Sequence, residues 1–115
     1  MSDDIYDRLA HCERFDWDDG NAPKVRTRHL VEPGECEQAF LSEPFVVVAD
    51  PQHSQREERW RALGTTSGGR NLYLVFTFRR EVFIRILAAR DMNRKERQLY
   101  AQAKARAEED PDVQV

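Results

Sequence analysis

The sequence lacks the features that mark a secreted, membrane-spanning or metal-binding protein. It has only two cysteines, Cys12 and Cys36, and their spacing matches no metal-ligand or redox motif. A reduced cytosolic protein is the simplest interpretation of this cysteine content. No apolar run approaches the roughly 18 residues of a membrane span, and the acidic N-terminus is unlike a signal peptide. We therefore expect one cytoplasmic domain, since 115 residues can bury a core without disulfides or metal.

Positive charge is slightly outnumbered by negative charge overall but is concentrated in one half of the chain. The formal net charge is −3, which by itself argues weakly against nucleic-acid binding. However, residues 61–107 carry eleven basic and three acidic side chains, whereas residues 1–23 carry two basic and seven acidic ones. Because charges are screened over about 8 Å at physiological ionic strength, the local excess matters more than the total. The C-terminal half can therefore attract a polyanion.

The charge pattern also divides the chain into three parts. Residues 1–14 form an acidic leader, which is either a frayed end or a short helix with one apolar face. That face would consist of Ile5, Leu9 and Cys12. Residues 15–107 form the predicted domain, and residues 108–115, with four acidic side chains and Pro111, predict a disordered tail.

Proline positions and apolar patterns predict an α+β fold. Pro23 and Pro33 each suit the first turn of a helix, which predicts one helix over about 23–29 and another from residue 33. Four apolar segments predict strands at residues 44–50, 59–66, 71–79 and 82–89. A last helix is predicted over about 94–107, with Leu99 and Ala103 facing inward. The predicted architecture is two N-terminal helices, a four-stranded antiparallel meander sheet and a C-terminal helix.

Alternation along the last two predicted strands indicates two unlike sheet faces. The even-numbered residues are uniformly apolar and are expected to pack on the helices. They are Leu72, Leu74, Phe76, Phe78, Val82, Ile84, Ile86 and Ala88. The odd-numbered residues include Thr77, Arg79 and Arg85, which share the open face if the connection has an odd number of residues. Arg90 follows at the end of the last strand.

The last helix begins with an unfavourable charge. Asn93 and Glu96 have the spacing of a capping box, which predicts that the helix starts there. Four cations nevertheless crowd its first turn, where the helix dipole disfavours each by roughly 0.3 kcal/mol or more. These are Arg90, Arg94, Lys95 and Arg97. They either neutralise carboxylates of the protein itself or prepare a site for a phosphate.

Six stretches of the chain share their order and spacing with a known family. They read FDWD at 15–18, RH at 28–29, ECEQAF at 35–40, DPQHSQREERW at 50–60, ALGTTSGGRNLYLVFTFR at 62–79 and RILAARDMNRKERQLY at 85–100. Over about residues 15–100 the chain resembles the BrnT-type toxins of type II toxin–antitoxin systems. The family usually has Lys and Asn four and eight residues after the Trp of WD, where this chain has Asn21 and Val25. Leu30 stands where the family usually has Gly.

The resemblance implies a RelE-like ribonuclease fold and cleavage of mRNA that inhibits translation. It also implies neutralisation by a BrnA-like ribbon-helix-helix antitoxin, with DNA contacted only through that antitoxin. No membrane partner and no cofactor are expected. Three histidines and scattered carboxylates do not predict a metal site.

Metal-free RNA cleavage needs a base for the 2′-hydroxyl proton, cations for the phosphorane and an acid for the leaving 5′-oxygen. Arginine suits the second task because its fork matches phosphate oxygens and stays charged. The candidate catalytic residues are His53, Arg59, Arg79, Arg85 and Arg90, with His53 as base or acid. The candidate RNA-binding residues are His29, Thr77, Arg94, Lys95, Arg97 and Tyr100, of which Tyr100 can stack on a base.

Each candidate also has a structural interpretation. His53 can close a loop by hydrogen bonding, His29 can end a helix, and Arg90 can pair with Asp91 or with helix-end carbonyls. The cations of the last helix can dock an acidic partner instead of RNA. Three functions therefore stay open from the sequence: a ribonuclease toxin, a non-catalytic RNA-binding module on the same fold, and a protein-interaction module.

Overall fold

A computed structural model describes residues 5–48 and 58–109, which form four helices and five strands. In chain order the elements are α1 (Ile5–Ala10), β1 (Arg14–Phe15), α2 (Ala22–His29), α3 (Pro33–Phe40), β2 (Val46–Val48), β3 (Trp60–Thr65), β4 (Asn71–Arg79), β5 (Phe83–Asp91) and α4 (Arg94–Glu109). The predicted helix over 23–29, the helix that begins at Pro33 and the strand over 71–79 are confirmed. Asp50 and the residues up to position 57 lie outside the described residues.

The sheet is five-stranded and mixed, so the predicted four-stranded antiparallel sheet is wrong. The strand order is β1-β5-β4-β3-β2, and β1 runs parallel to β5 at one edge. Two backbone hydrogen bonds extend this pairing, from Glu13 N to Val82 O and from Asp16 N to Ile84 O. A strand of two residues is too short to show an alternating pattern. Its pairing also depends on the edge of β5, which is distant in the chain. The sequence pattern therefore could not predict it.

The acidic leader forms a helix that contacts the core. In α1, Ile5 and Leu9 pack against the core residues, as does Cys12 just after the helix. Arg8 lies 4.1 Å above the Phe78 ring and pairs with Glu58 at 3.0 Å. The short-helix alternative for this segment is confirmed. Among the described residues, no helix combines the length and apolar content that crossing a bilayer requires.

A β-bulge at Leu87 changes which residues of β5 face the helices. The hairpin connection spans residues 80–82, an odd number, and Thr77 pairs directly with Arg85 as expected. Next, Phe76 pairs with Ile86 but Val75 pairs with Ala88, which leaves Leu87 as the extra residue. Beyond the bulge the faces of β5 are exchanged. Ala89 is therefore buried, and the prediction that Ala88 faces the helices is wrong.

The two sheet faces are covered unequally. The helix face, which carries Leu72, Leu74 and Phe76 of β4, is covered by α2 and α3 with α1 beside them. The open face carries Tyr73, Val75, Thr77 and Arg79 of β4. Here α4 covers only one end, where the side chains that form a second small core are Leu63, Tyr73, Met92 and Tyr100. Elsewhere on the open face Thr77 is buried, whereas Val75 is half-buried and Arg79 is exposed.

The buried residue of α4 is Tyr100, so the prediction that Leu99 faces inward is wrong. Tyr100 is 5% exposed and its hydroxyl donates a hydrogen bond of 2.7 Å to Pro44 O, whereas Leu99 is 45% exposed. Helical spacing alone leaves both residues possible, and the hydrogen bond stabilises the burial of the tyrosine. Glu108 and Glu109 belong to α4, while the tail from residue 110 lies outside the described residues.

The predicted capping box at the start of α4 is confirmed. Glu96 N donates to Asn93 Oδ1 and Asn93 N donates to Glu96 Oε1, both at 2.9 Å. We expect Asn93→Ala to lower the free energy of unfolding by about 1 kcal/mol, because the cap satisfies an otherwise unpaired amide. Urea denaturation measures this loss. Gln98→Ala, on the exposed surface of α4, is the control, and equal stability of both variants would contradict the role of the cap.

Candidate functional site

A cleft of about 370 Å³ lies on the open face of the sheet. Its floor is apolar and consists of Val75 from β4 with Leu87 and Ala88 from β5. Val75 pairs with Arg61 on one side and with Ala88 on the other. The cleft therefore extends across three strands, β3, β4 and β5, with roughly 10 Å between the outer two.

Cations form both walls of this cleft. Lys24 and Arg28 of α2 line one wall, and Arg59 and Arg61 in and just before β3 line the other. The remaining lining residues are Gly20 and Asn21, so no carboxylate lines the cleft within residues 5–48 and 58–109. Four like charges around an apolar floor repel one another and attract an anion. We call this feature the basic cleft.

The basic cleft owes its helical wall to a tightly bonded loop between β1 and α2. Asn21 is 1% exposed, and its Nδ2 donates to Asp16 O at 2.9 Å and to Ile86 O at 3.0 Å. Its Oδ1 accepts a hydrogen bond of 2.8 Å from Asp18 N. These bonds attach the start of α2 to β5, which places Lys24 and Arg28 beside the sheet.

Arg85 is a buried structural cation of this loop. Its Nη1 lies 3.1 Å from Asp16 Oδ2 and its Nη2 lies 2.9 Å from Asp18 Oδ1, and its side chain is only 9% exposed. The hydrogen bond to Asp18 is the main cause that raises the pKa of Arg85, and the same bond lowers the pKa of Asp18. Arg85 is therefore already neutralised by the two aspartates of the FDWD segment.

Replacing Arg85 is expected to destabilise the protein. We expect Arg85→Met to lower the free energy of unfolding by about 2–3 kcal/mol, because two carboxylates lose their partner and one lies partly inside the protein. Urea denaturation measures the change, with Arg106→Met on the exposed surface of α4 as the control. Wild-type stability of Arg85→Met would show that the ion pairs with the loop contribute little.

Arg90 is neutralised in a similar way at the other end of the open face. Its two terminal nitrogens lie 2.8 and 2.9 Å from the two oxygens of Glu96, and its guanidinium lies 3.8 Å from the Tyr73 ring centroid. Burial alone would raise the pKa of Glu96, but hydrogen bonds from Arg90 and from the Asn93 backbone outweigh it and lower that pKa. Arg61 lies over the same Tyr73 ring at 5.7 Å, so this cluster borders the basic cleft.

The structure brings only one of the predicted catalytic arginines into the cleft. Arg59 lines it, whereas Arg79 and Arg85 lie on the open face near Asp18 and Arg90 lies at the α4 end. Arg90 is five positions after Arg85 along β5, which corresponds to roughly 15 Å. The three predicted clamp residues thus share a face but not one pocket. His53 lies outside the described residues.

The predicted RNA-binding residues lie in several places. Thr77 is buried, and its hydroxyl donates a hydrogen bond of 2.6 Å to Glu58 O, which holds the segment that enters β3 beside Arg59. His29 ends α2 away from the cleft lining, and its carbonyl accepts a hydrogen bond from Arg70. Tyr100 is buried and cannot stack on a base without leaving the core. Three residues are exposed on the first turn of α4, namely Arg94, Lys95 and Arg97.

The sequence interpretation missed Lys24, Arg28 and Arg61. A signal was present, because Lys24 and Arg28 are four residues apart on α2, and like charges at that spacing destabilise a helix. Arg59 and Arg61 likewise alternate along an extended segment. Neither signal shows that the two pairs flank one floor, since that depends on how α2 packs against β5.

Comparison with protein families decides the family. The model of the family described as "Ribonuclease toxin, BrnT, of type II toxin-antitoxin system" matches residues 17–96. The chain belongs to the BrnT family. No curated protein matches the chain. The matched range of this BrnT toxin contains the four cations of the basic cleft, Arg85 with its partner Asp18, and the start of α4. Asp16, the other partner of Arg85, lies one residue before the matched range.

The structure gives the FDWD segment of this BrnT toxin, residues 15–18, a physical role. Phe15 packs against the core, and Trp17 Nε1 donates to Glu37 Oε2 at 2.8 Å. Asp16 and Asp18 hold Arg85. The segment therefore joins β1, α3 and β5, and it supports the basic cleft without lining it.

Proposed function

We propose that this BrnT toxin is a metal-independent endoribonuclease that cleaves mRNA in the basic cleft. The observation that carries the proposal is the arrangement of Lys24, Arg28, Arg59 and Arg61 around one concave floor, in a family of ribonuclease toxins. Preorganised cations can stabilise the negative charge that develops on a phosphorane. We also propose, as the family resemblance implies, that the fold is RelE-like and that a ribbon-helix-helix antitoxin neutralises the toxin.

In the proposed reaction the 2′-oxygen of the RNA attacks the adjacent phosphorus. A base accepts the 2′-hydroxyl proton, the bond from phosphorus to the 5′-oxygen breaks, and an acid protonates that oxygen. The products are a 2′,3′-cyclic phosphate and a 5′-hydroxyl. Arg59 and Arg61 are the proposed phosphate ligands. His53, six residues before Arg59 in the chain, is the proposed base or acid.

The other predicted catalytic arginines take different roles in this proposal. Arg79 is exposed on the open face and guides the strand toward the cleft by its charge. Arg85 and Arg90 act as positioning residues, since each is held by carboxylates of the protein. The exposed cations of α4 are proposed to contact the antitoxin or the flanking RNA.

A non-catalytic RNA-binding module is the second candidate. It is favoured by the two positions where the family usually has Lys and Asn, because Asn21 and Val25 are both 1% exposed here. Asn21 bonds to the backbone and Val25 belongs to the core. Asn21 lines the cleft, but its amide is already used in these bonds, and Val25 is apolar, so neither residue offers a free polar group to a ligand.

One experiment tests the proposed function. The purified protein is incubated with end-labelled mRNA in EDTA, and the product ends are identified. We expect 2′,3′-cyclic phosphate ends, which a His53→Ala/Arg59→Ala variant prepared in the same way fails to produce. Salt-sensitive RNA binding without any cleavage by the wild type would instead support the non-catalytic module. Absence of RNA binding at low salt would contradict both candidates.

A further inference from the structure

The cations of the basic cleft are arranged in two pairs with similar internal spacing. Lys24 and Arg28 are four residues apart on a helix, which places their Cβ atoms about 5–6 Å apart. Arg59 and Arg61 are two residues apart in an extended segment, which places their Cα atoms about 7 Å apart. Each wall thus presents two positive charges with a separation similar to that of adjacent phosphates in an extended nucleic-acid strand.

The amount of charge in the cleft exceeds what one phosphodiester neutralises. A phosphodiester carries a single negative charge, whereas Lys24 and Arg28 alone contribute two positive ones. The side chains of Lys24 and Arg28 make no hydrogen bond or ion pair with any residue in the described ranges 5–48 and 58–109, although they repel each other at the i, i+4 spacing. A second phosphate is the simplest ligand group that relieves this repulsion.

The floor of the cleft indicates how the strand is held between the walls. Val75, Leu87 and Ala88 offer an apolar surface, and no aromatic side chain is among the described residues that line the cleft. The described part of the lining therefore offers no ring for stacking, in contrast to single-strand binders that use aromatic platforms. Affinity must come mainly from the phosphates, with a base or sugar lying on the floor.

We propose that the basic cleft binds two consecutive phosphates of one RNA strand, so that the minimal high-affinity ligand is a trinucleotide with two phosphodiesters. One phosphate lies between each cation of α2 and a cation of the β3 wall. The inference rests on the proposed function, because it assigns the binding register of the same site. It adds that the binding affinity depends on the number of phosphates and does not depend on base identity.

The test uses 2′-O-methyl oligouridylates of two, three and four nucleotides without terminal phosphates, because these cannot be cleaved by 2′-oxygen attack. Binding to the full chain is measured by calorimetry at low salt. We expect affinity to rise about tenfold or more from the dimer to the trimer, since the second phosphate gains charge-assisted hydrogen bonds. From trimer to tetramer the gain should be less than about threefold, because only the number of binding registers increases. The slope of log affinity against log salt should change from about −0.7 to about −1.4 between dimer and trimer.

Two further ligands and variants make the test specific. A trimer with one neutral methylphosphonate linkage should bind like the dimer. The Lys24→Ala/Arg28→Ala variant should lose the step between dimer and trimer, whereas Lys104→Ala/Arg106→Ala, which removes the same charge from the exposed end of α4, should retain it. Equal gains at each added nucleotide, or a step that persists in Lys24→Ala/Arg28→Ala, would overturn the inference.

The outcomes separate this inference from the proposed function. RNA cleavage in EDTA without a step at the trimer leaves the ribonuclease intact and removes the two-phosphate register. A step at the trimer without RNA cleavage retains the register and removes the catalytic function. Both measurements use the same protein preparation.

Discussion

Replacing Lys24 and Arg28 together by alanine should lower kcat/KM for RNA cleavage by about 100-fold or more. Both side chains line the basic cleft, and no described residue neutralises them. Their removal takes away half of the positive charge around the phosphates. The fold should not suffer, because both positions are exposed on α2, alanine favours helices, and the repulsion between the two cations disappears. Single-turnover cleavage of a labelled RNA measures the effect.

Two controls make this prediction specific to the cleft. Lys104→Ala/Arg106→Ala has the same change in net charge, and Arg26→Ala lies on the same helix but pairs with Glu32 away from the cleft. Both should cleave within about threefold of the wild type, since exposed charges act only through the screened overall field. A Lys24→Ala/Arg28→Ala variant with wild-type kcat/KM would place the RNA elsewhere.

Gly64→Ala should destabilise the protein by more than about 3 kcal/mol or prevent folding. A Cβ atom at Gly64 would overlap Ala39 O and lie 3.1 Å from Ala39 C. These are backbone atoms of α3, so relief of the contact requires α3 to move away from β3. Such a shift would open the helix-face core around Ala39, Ala62 and Cys36. Thermal and urea denaturation measure the loss.

Gly34→Ala is the matched control for this variant, with an effect of opposite sign. Gly34 lies in the first turn of α3, and a Cβ atom there meets nothing within 4 Å. Alanine should stabilise the protein by about 0.5–1 kcal/mol, because it restricts the unfolded chain and favours the helix. If Gly64→Ala retained wild-type stability, the close packing of α3 on β3 would be contradicted.

The elements with strong local signals could be predicted from the sequence. The capping box at Asn93, the helix after Pro23 and the strand at 71–79 all depend on neighbouring residues. The strand β1 and the bulge at Leu87 depend on distant partners, so no local pattern showed them. The bulge has a consequence for the site, because it moves Arg90 onto the open face opposite Tyr73.

The candidate site could be predicted only in part, because it too depends on contacts between residues far apart in the chain. The sequence predicts Arg59, which lines the basic cleft, whereas Arg85 and Arg90, also predicted to contact phosphate, are held by Asp16, Asp18 and Glu96. Which cations are neutralised inside a fold depends on contacts between residues far apart in the chain. The cations at the start of α4 therefore have two different roles. Arg90 neutralises Glu96, whereas the exposed Arg94, Lys95 and Arg97 are available to a partner.

RNA is proposed to lie in the basic cleft on the open face of the sheet. Amide chemical shifts of the labelled protein, recorded while an uncleavable 2′-O-methyl RNA is added, show where the RNA binds. We predict the largest changes at the cleft positions, above all at Lys24, Arg28, Arg61, Val75 and Ala88. Changes confined to residues 94–109 of α4, with none at the cleft, would contradict the claim.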